Sequence, residues 1–119
     1  MSFIADIRSW RARGRARRGA NFLDRYASYW FLWLDLDRLN MHSNNRCVAG
    51  QLIGGYTTPK EFARTFGVFP TATWMLGVFV RSPKMADALQ VAWHHEITQR
   101  LKAYEQQEAS ALVADVFSF

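Results

Sequence analysis

The sequence predicts a mainly α protein: a small single-domain helical fold with at most one short strand pair, preceded by a basic N-terminal helix or arm. Three observations predict it. Leu89, Trp93, Ile97, Leu101 and Tyr104 recur at spacings of four, four, four and three, the period of one helix face. Helix-start punctuation stands at Thr58-Pro59 and Ser82-Pro83, where a hydroxyl can cap and proline suits the first turn. The net charge of +5 sits entirely in residues 1–18, where Arg8, Arg11, Arg13, Arg15, Arg17 and Arg18 face Asp6 alone, while residues 19–119 hold nine basic and nine acidic residues. The body is electrically balanced and the arm is not. The division expected on this basis is a basic arm over 1–20, a helical domain over 21–109 and an apolar tail over 110–119.

The elements follow in order. Residues 2–13 read as an amphipathic helix capped by Ser2, with Phe3, Ile4, Ile7 and Trp10 on one face and Arg8, Arg11, Arg15 and Arg18 in a stripe beside it. Gly14 and Gly19 weaken a helix there, which makes the second half of the arm a segment expected to order on binding. A second helix is expected over 21–34, capped by Asn21 and dense in aromatics at Tyr29, Trp30, Phe31 and Trp33. Leu34 to Met41 alternates apolar and polar, a short strand or extended segment. Asn44 opens a helix of about 44–53 that ends at Gly54-Gly55. Thr58, Pro59 and Glu61 form a capping box for a helix closed by Gly67. Residues 68–80 read as either strand or helix. The longest helix is expected over 83–107, and Val113–Phe119 forms an apolar tail that docks on the core or on a partner.

Composition bounds the class. Half of the residues are hydrophobic and 15% are aromatic, five of them Trp, enough to build a core rather than a disordered chain. Cys47 is the one cysteine, so an intramolecular disulfide is excluded and a reducing, cytoplasmic compartment is expected. The start of the chain places apolar residues before the basic run, the reverse of a secretory signal. The apolar stretches 26–34 and 68–80 are shorter than the roughly 20 residues a spanning helix needs, so no integral membrane segment is expected.

The central residues resemble a family. Leu34-Asp35-Leu36-Asp37-Arg38-Leu39-Asn40-Met41, then Cys47-Val48-Ala49-Gly50-Gln51-Leu52, Phe66-Gly67-Val68 and Leu89-Gln90-Val91-Ala92-Trp93 with Ile97 are similar to a group of small proteins from actinobacteria and their phages. The resemblance covers residues 23–101 and leaves out the arginine arm and the tail. It implies a bacterial or phage context and carries no activity, so no functional residue transfers with it.

The candidate chemistry is mostly negative. Cys47 and His42, with Asp35 or Asp37 behind the histidine, have the residue types of a nucleophile and base, but a small thiol among Val48 and Leu52 is ordinarily a packed core group. Adjacent His94 and His95 point about 100° apart on a helix, which fails the two-histidine spacing of a metalloprotease. Asp35 and Asp37 fit capping and pairing with Arg38 or Arg46. The glycines of 50–55 follow a helix, whereas a phosphate cradle opens one. No catalytic residue, metal or cofactor is expected.

The arginine arm remains. Six guanidiniums within eleven residues neutralise phosphates, and Trp10 can stack on a base. The expectation is therefore a non-enzymatic binding protein that engages nucleic acid through Arg8, Arg11, Arg13, Arg15, Arg17, Arg18 and Trp10. A solvated extension that only aids solubility is the plainer reading of the same residues. Weak association with an anionic membrane surface through Phe3, Ile4, Ile7 and Trp10 is a third. The alternative function is a protein-interaction module that docks on a host or self partner through Tyr29, Trp30, Trp33, Trp74, Phe117 and Phe119. Oligomeric state is not encoded in any of these patterns.

Overall fold

Helix α1, Phe3–Tyr26, runs without a break through both Gly14 and Gly19. It forms part of a computed structural model that describes residues 3–117, with side chains described over 6–116. The expected cap Ser2 and the residue Phe119 lie outside the described residues, as do the side chains of Phe3, Ile4 and Phe117.

The reason α1 does not stop at its glycines is tertiary. Ala12, Ala16, Ala20 and Leu23 are fully or almost fully buried at helical spacing, so α1 packs through a line of small residues. Gly19 stands in that line: a Cβ there would lie 2.0 Å from the Leu76 carbonyl oxygen and 2.7 Å from the Trp93 ring. The glycine is the condition for close approach and not a weak point. Asn21, expected to cap a separate helix, sits inside α1 and its side-chain oxygen accepts from Arg100 at 3.3 Å. Ile7 and Trp10 lie on the side away from the alanines and are exposed.

After α1 the chain turns through Tyr29, whose φ of 61° is left-handed, into a 3₁₀ turn, Trp30–Trp33. Trp30 and Phe31 are buried there, and Trp30 meets Trp93 edge to face at 6.0 Å. Leu34 to Met41 is a run of turns, and no strand forms among the described residues. Alternation survives in part, since Leu34, Leu39 and Met41 are buried. What replaces a partner strand is two side-chain amides. Gln51 accepts from the Asp35 N–H at 2.6 Å and donates to the Asp35 and Arg46 carbonyls. Gln90 accepts from the Met41 N–H at 2.9 Å and donates to the Leu39 carbonyl at 2.6 Å.

Helix α2, Val48–Ile53, begins later than Asn44 because Cys47 is its N-cap: the thiol accepts from the Gly50 N–H at 3.4 Å. Gly50 admits the 44–45 loop, for a Cβ would meet the Asn44 and Asn45 backbone at 2.5–2.6 Å. Helix α3, Pro59–Phe66, is capped by Thr58 and ends at left-handed Gly67. Its capping box is only half formed, because the Glu61 carboxylate takes the Thr57 hydroxyl instead. Residues 68–80 hold one short helix, α4, Ala72–Met75, flanked by turns.

Helix α5, Pro83–Phe117, is ten residues longer than the apolar repeat predicts. Ser82 accepts from the Met85 N–H at 3.3 Å to start it. No Gly or Pro follows, and Ala, Glu, Gln and Leu sustain the helix past the point where its core face ends. Helix α1 lies beside α5 in parallel: Gly19 is against Trp93, and Asp24 reaches Arg100. Leu89, Ala92, Trp93 and Ile97 complete the core between them.

Candidate nucleic-acid interface

The alanine line of α1 decides where its arginines go. With Ala12 and Ala16 packed inward, Arg13 and Arg17 stand one turn apart on one flank of the helix and Arg11 and Arg18 on the other; all four are exposed. Arg8 and Arg15 border the packed face and are half-buried. From Arg8 to Arg18 the helix rises about 15 Å, so six guanidiniums share one short rod. Trp10, 67% exposed, sits among them. Trp10, Arg11, Arg13, Arg17 and Arg18 border a shallow concavity open to solvent.

The electrostatics of this rod are unusual for a helix packed into a core. Among the described residues the ion pairs are His42–Asp87, Arg100–Asp24 and Arg100–Glu96. None of the six arginines of α1 has a carboxylate within pairing distance among the described residues. Arg18 spends one donor on the Met75 carbonyl at 3.2 Å, which fixes its stem and leaves the charge uncompensated. Six like charges held in register by a rigid helix create a positive field that an external anion would relieve.

One arginine of this surface comes from elsewhere in the chain. Arg81, just before α5, lies across a cleft from Arg8 and Arg15, its guanidinium carbon 4.6 Å from the centre of the Trp74 ring. Sequence spacing gives no sign of it, since Arg81 is sixty-six residues from Arg15.

Arg100 shows the opposite environment. It donates to both oxygens of Asp24 at 2.9–3.2 Å and to the Glu96 carboxylate at 3.4 Å, while Trp30 donates to Asp24 at 2.8 Å. Burial pulls the Asp24 carboxyl up, but the hydrogen bonds and charge of Arg100 and the Trp30 indole outweigh it and hold the group below its ordinary value. This is a structural clamp of α1 on α5.

Of the remaining candidates, His42 and Cys47 border one small hollow beside Asn44 and Arg81, but their chemistry does not join there. Cys47 is 2% exposed, and burial pushes its thiol up, away from the thiolate a nucleophile needs. His42 lies on the surface and pairs with Asp87 at 2.7 Å, and no hydrogen bond joins it to Cys47. Asp35 accepts from the Asp37 N–H in a local turn, and neither pairs with Arg38 or Arg46. His94 and His95 are exposed on α5. Among the described residues no three His, Cys, Asp or Glu side chains gather as a metal site requires, and no helix is long and apolar enough to cross a membrane.

The aromatic candidates divide. Trp30 is fully buried and belongs to the core. Trp74 is half-buried between Arg81 and Phe79. Trp33, 70% exposed, and Tyr29 are on the surface, with Tyr29 leaning on Tyr104 at 5.5 Å. Compared with known families, characterised proteins and solved structures, the chain matches none of them.

Proposed function

We propose that the protein is a nucleic-acid-binding module that grips phosphates through the arginines of α1 with little base specificity. The observation that supports this reading is the set of six arginines on one packed helix with no carboxylate partner among the described residues. Because the helix is already ordered by its alanine face, binding does not have to supply the entropy of folding a flexible arm. The exposed Arg11, Arg13 and Arg17 carry the phosphate contacts, and Trp10 offers an indole for stacking on an unpaired base.

The test is binding of the full chain to a mixed-sequence duplex and a single strand across a salt series. The charges are removed by substitution, because Ala12 and Ala16 are core residues and deleting 1–18 would remove packing along with charge. Binding that falls steeply with salt and is lost in the Arg11→Gln/Arg13→Gln/Arg17→Gln variant supports the reading. Absence of binding at low salt, or binding unaffected by the triple substitution, overturns it.

A second reading rests on the far end of α5. From Glu105 to Val116 every residue is exposed, Leu112, Val113 and Val116 among them. A protein partner that covers this stretch together with Trp33 would make the molecule an interaction module. Its mark is binding that survives the arginine substitutions and fails in Leu112→Asp/Val116→Asp.

A further inference from the structure

We infer that the cleft between α1 and the α4–α5 connection is a phosphate-ester site, built by Arg8 and Arg15 on one wall and Arg81 on the other. It rests on the nucleic-acid reading above for its expected occupant, the backbone of a single strand, and it extends that interface from α1 to Arg81, sixty-six residues after Arg15.

Four observations carry it. The cleft is open to solvent and has a volume of about 420 Å³, a size within the range of small-ligand sites. Its lining contains three arginines and no carboxylate, and none of the three has an ion-pair partner among the described residues. Three uncompensated guanidiniums around one hollow repel one another, and an anion between them removes that repulsion. The Arg81 guanidinium carbon lies over the Trp74 ring, 4.6 Å from its centre, a cation–π contact that steadies the side chain and leaves its N–H donors available to a tetrahedral oxyanion. The same wall adds hydroxyls at Thr71 and Ser82. Ser82 accepts from the Met85 N–H, so its own O–H is left as a donor.

The geometry suits a strand rather than a lone ion. Arg8 and Arg15 are seven residues apart, about 10.5 Å along the helix axis. The cleft therefore spreads its charge over more length than one phosphate covers. Arg15 sits between the cleft and the exposed flank that carries Arg11 and Arg18, so a backbone seated in the cleft continues onto the outer arginines.

The experiment compares the full chain with Arg81→Gln, and with Lys60→Gln as a control of equal charge change on α3. Binding of a thymidine 20-mer is followed across a salt series, and binding of pyrophosphate by the indole and guanidinium cross-peaks of proton–nitrogen spectra. Circular dichroism checks that Arg81→Gln keeps its fold, as expected for an exposed residue. Loss of one charged contact predicts about tenfold weaker oligonucleotide binding and a salt slope smaller by about 0.7 in Arg81→Gln, with Lys60→Gln unchanged. Equal oligonucleotide binding by Arg81→Gln overturns the cleft and leaves the α1 reading standing. Pyrophosphate binding that depends on Arg81, without any oligonucleotide binding, supports the phosphate site and overturns the nucleic-acid reading. No response to either probe overturns both.

Discussion

Gly19 and the Trp93 indole are packed so closely that a Cβ on Gly19 would stand 2.7 Å from the ring, and 2.0 Å from the Leu76 carbonyl oxygen. Trp93 cannot swing away, because its Nε1–H donates to the Gly77 carbonyl at 2.7 Å. The contact locks α1, α5 and the 76–77 turn together, and it explains why a glycine persists in the middle of a 24-residue helix.

Gly19→Ala and Gly14→Ala should therefore move stability in opposite directions. Alanine at 19 forces backbone apart in the core, a cost of about 3 kcal/mol or more at the severe end of overpacking. Alanine at 14 meets only the flexible end of Arg18 at 3.4 Å, and gains about 0.5–1 kcal/mol of helix propensity. Urea denaturation of the two variants against the parent checks both signs.

The glutamine clamps give a second prediction. Gln90→Leu leaves the Met41 N–H and Leu39 carbonyl without their partner, and should cost about 1–2 kcal/mol because both groups are only partly shielded from water. Gln90→Glu is expected to be worse at neutral pH. It keeps the acceptor for Met41 but sets a carboxylate against the Leu39 carbonyl oxygen, where a donor stood. Thermal melts at pH 7 rank the pair, and equal stability of the two variants would contradict the orientation of the amide.

The helical class was legible because the period of Leu89, Trp93, Ile97, Leu101 and Tyr104 and the caps at Thr58 and Ser82 are local signals. What sequence reading missed was set by tertiary contact. Gly14 and Gly19 read as weak points of the helix because propensity cannot see that Trp93 fills the space beside Gly19. The packed face of α1 was hidden because it is made of alanines, while the more conspicuous Ile7 and Trp10 face outward. Leu34 to Met41 carries strand alternation, but its backbone is paired by Gln51 and Gln90 side chains rather than by a neighbouring strand. In the candidate site the six arginines of α1 were evident from composition. Arg81 was not, since only the fold brings it opposite Arg8 and Arg15. Several residues of the central motifs have structural duties here: Cys47 caps α2, Gly50 admits a loop, Gln51 and Gln90 hold the 34–41 segment, and Trp93 fills the centre of the core.

Acid should release the clamp between Asp24 and Arg100. The Asp24 carboxyl is held below its ordinary value of 3.8 in the folded protein. Its contribution to stability is thus fully present above pH 3.8 and is lost as pH falls through the lower, folded value. Asp24→Asn should be less stable than the parent by about 1 kcal/mol at pH 7, a figure kept small because the Asp24 side chain is 42% exposed to screening water. The gap between the two should narrow below pH 3.8. A pH series of urea midpoints tests this, and a constant gap down to pH 2 would contradict it.

Residues Glu105 to Val116 of α5 should contribute little to folding. Glu105 to Val116 is exposed throughout, so these residues are held helical by propensity and by attachment to a packed helix, not by burial. Helix added to an existing end brings a free energy near zero per residue. Their amides should exchange with solvent far faster than those of residues 89–97, which lie under Leu89, Trp93 and Ile97 in the core. A chain ending after Gln106 should keep its unfolding free energy to within about 0.5 kcal/mol of the parent while losing helical circular dichroism in proportion to the residues removed. Amide exchange by mass spectrometry on the full chain tests the first expectation. Strong protection over 105–116 at micromolar concentration, vanishing on dilution, would instead mean that another molecule covers Leu112, Val113 and Val116, and would favour the protein-partner reading of this end of the fold.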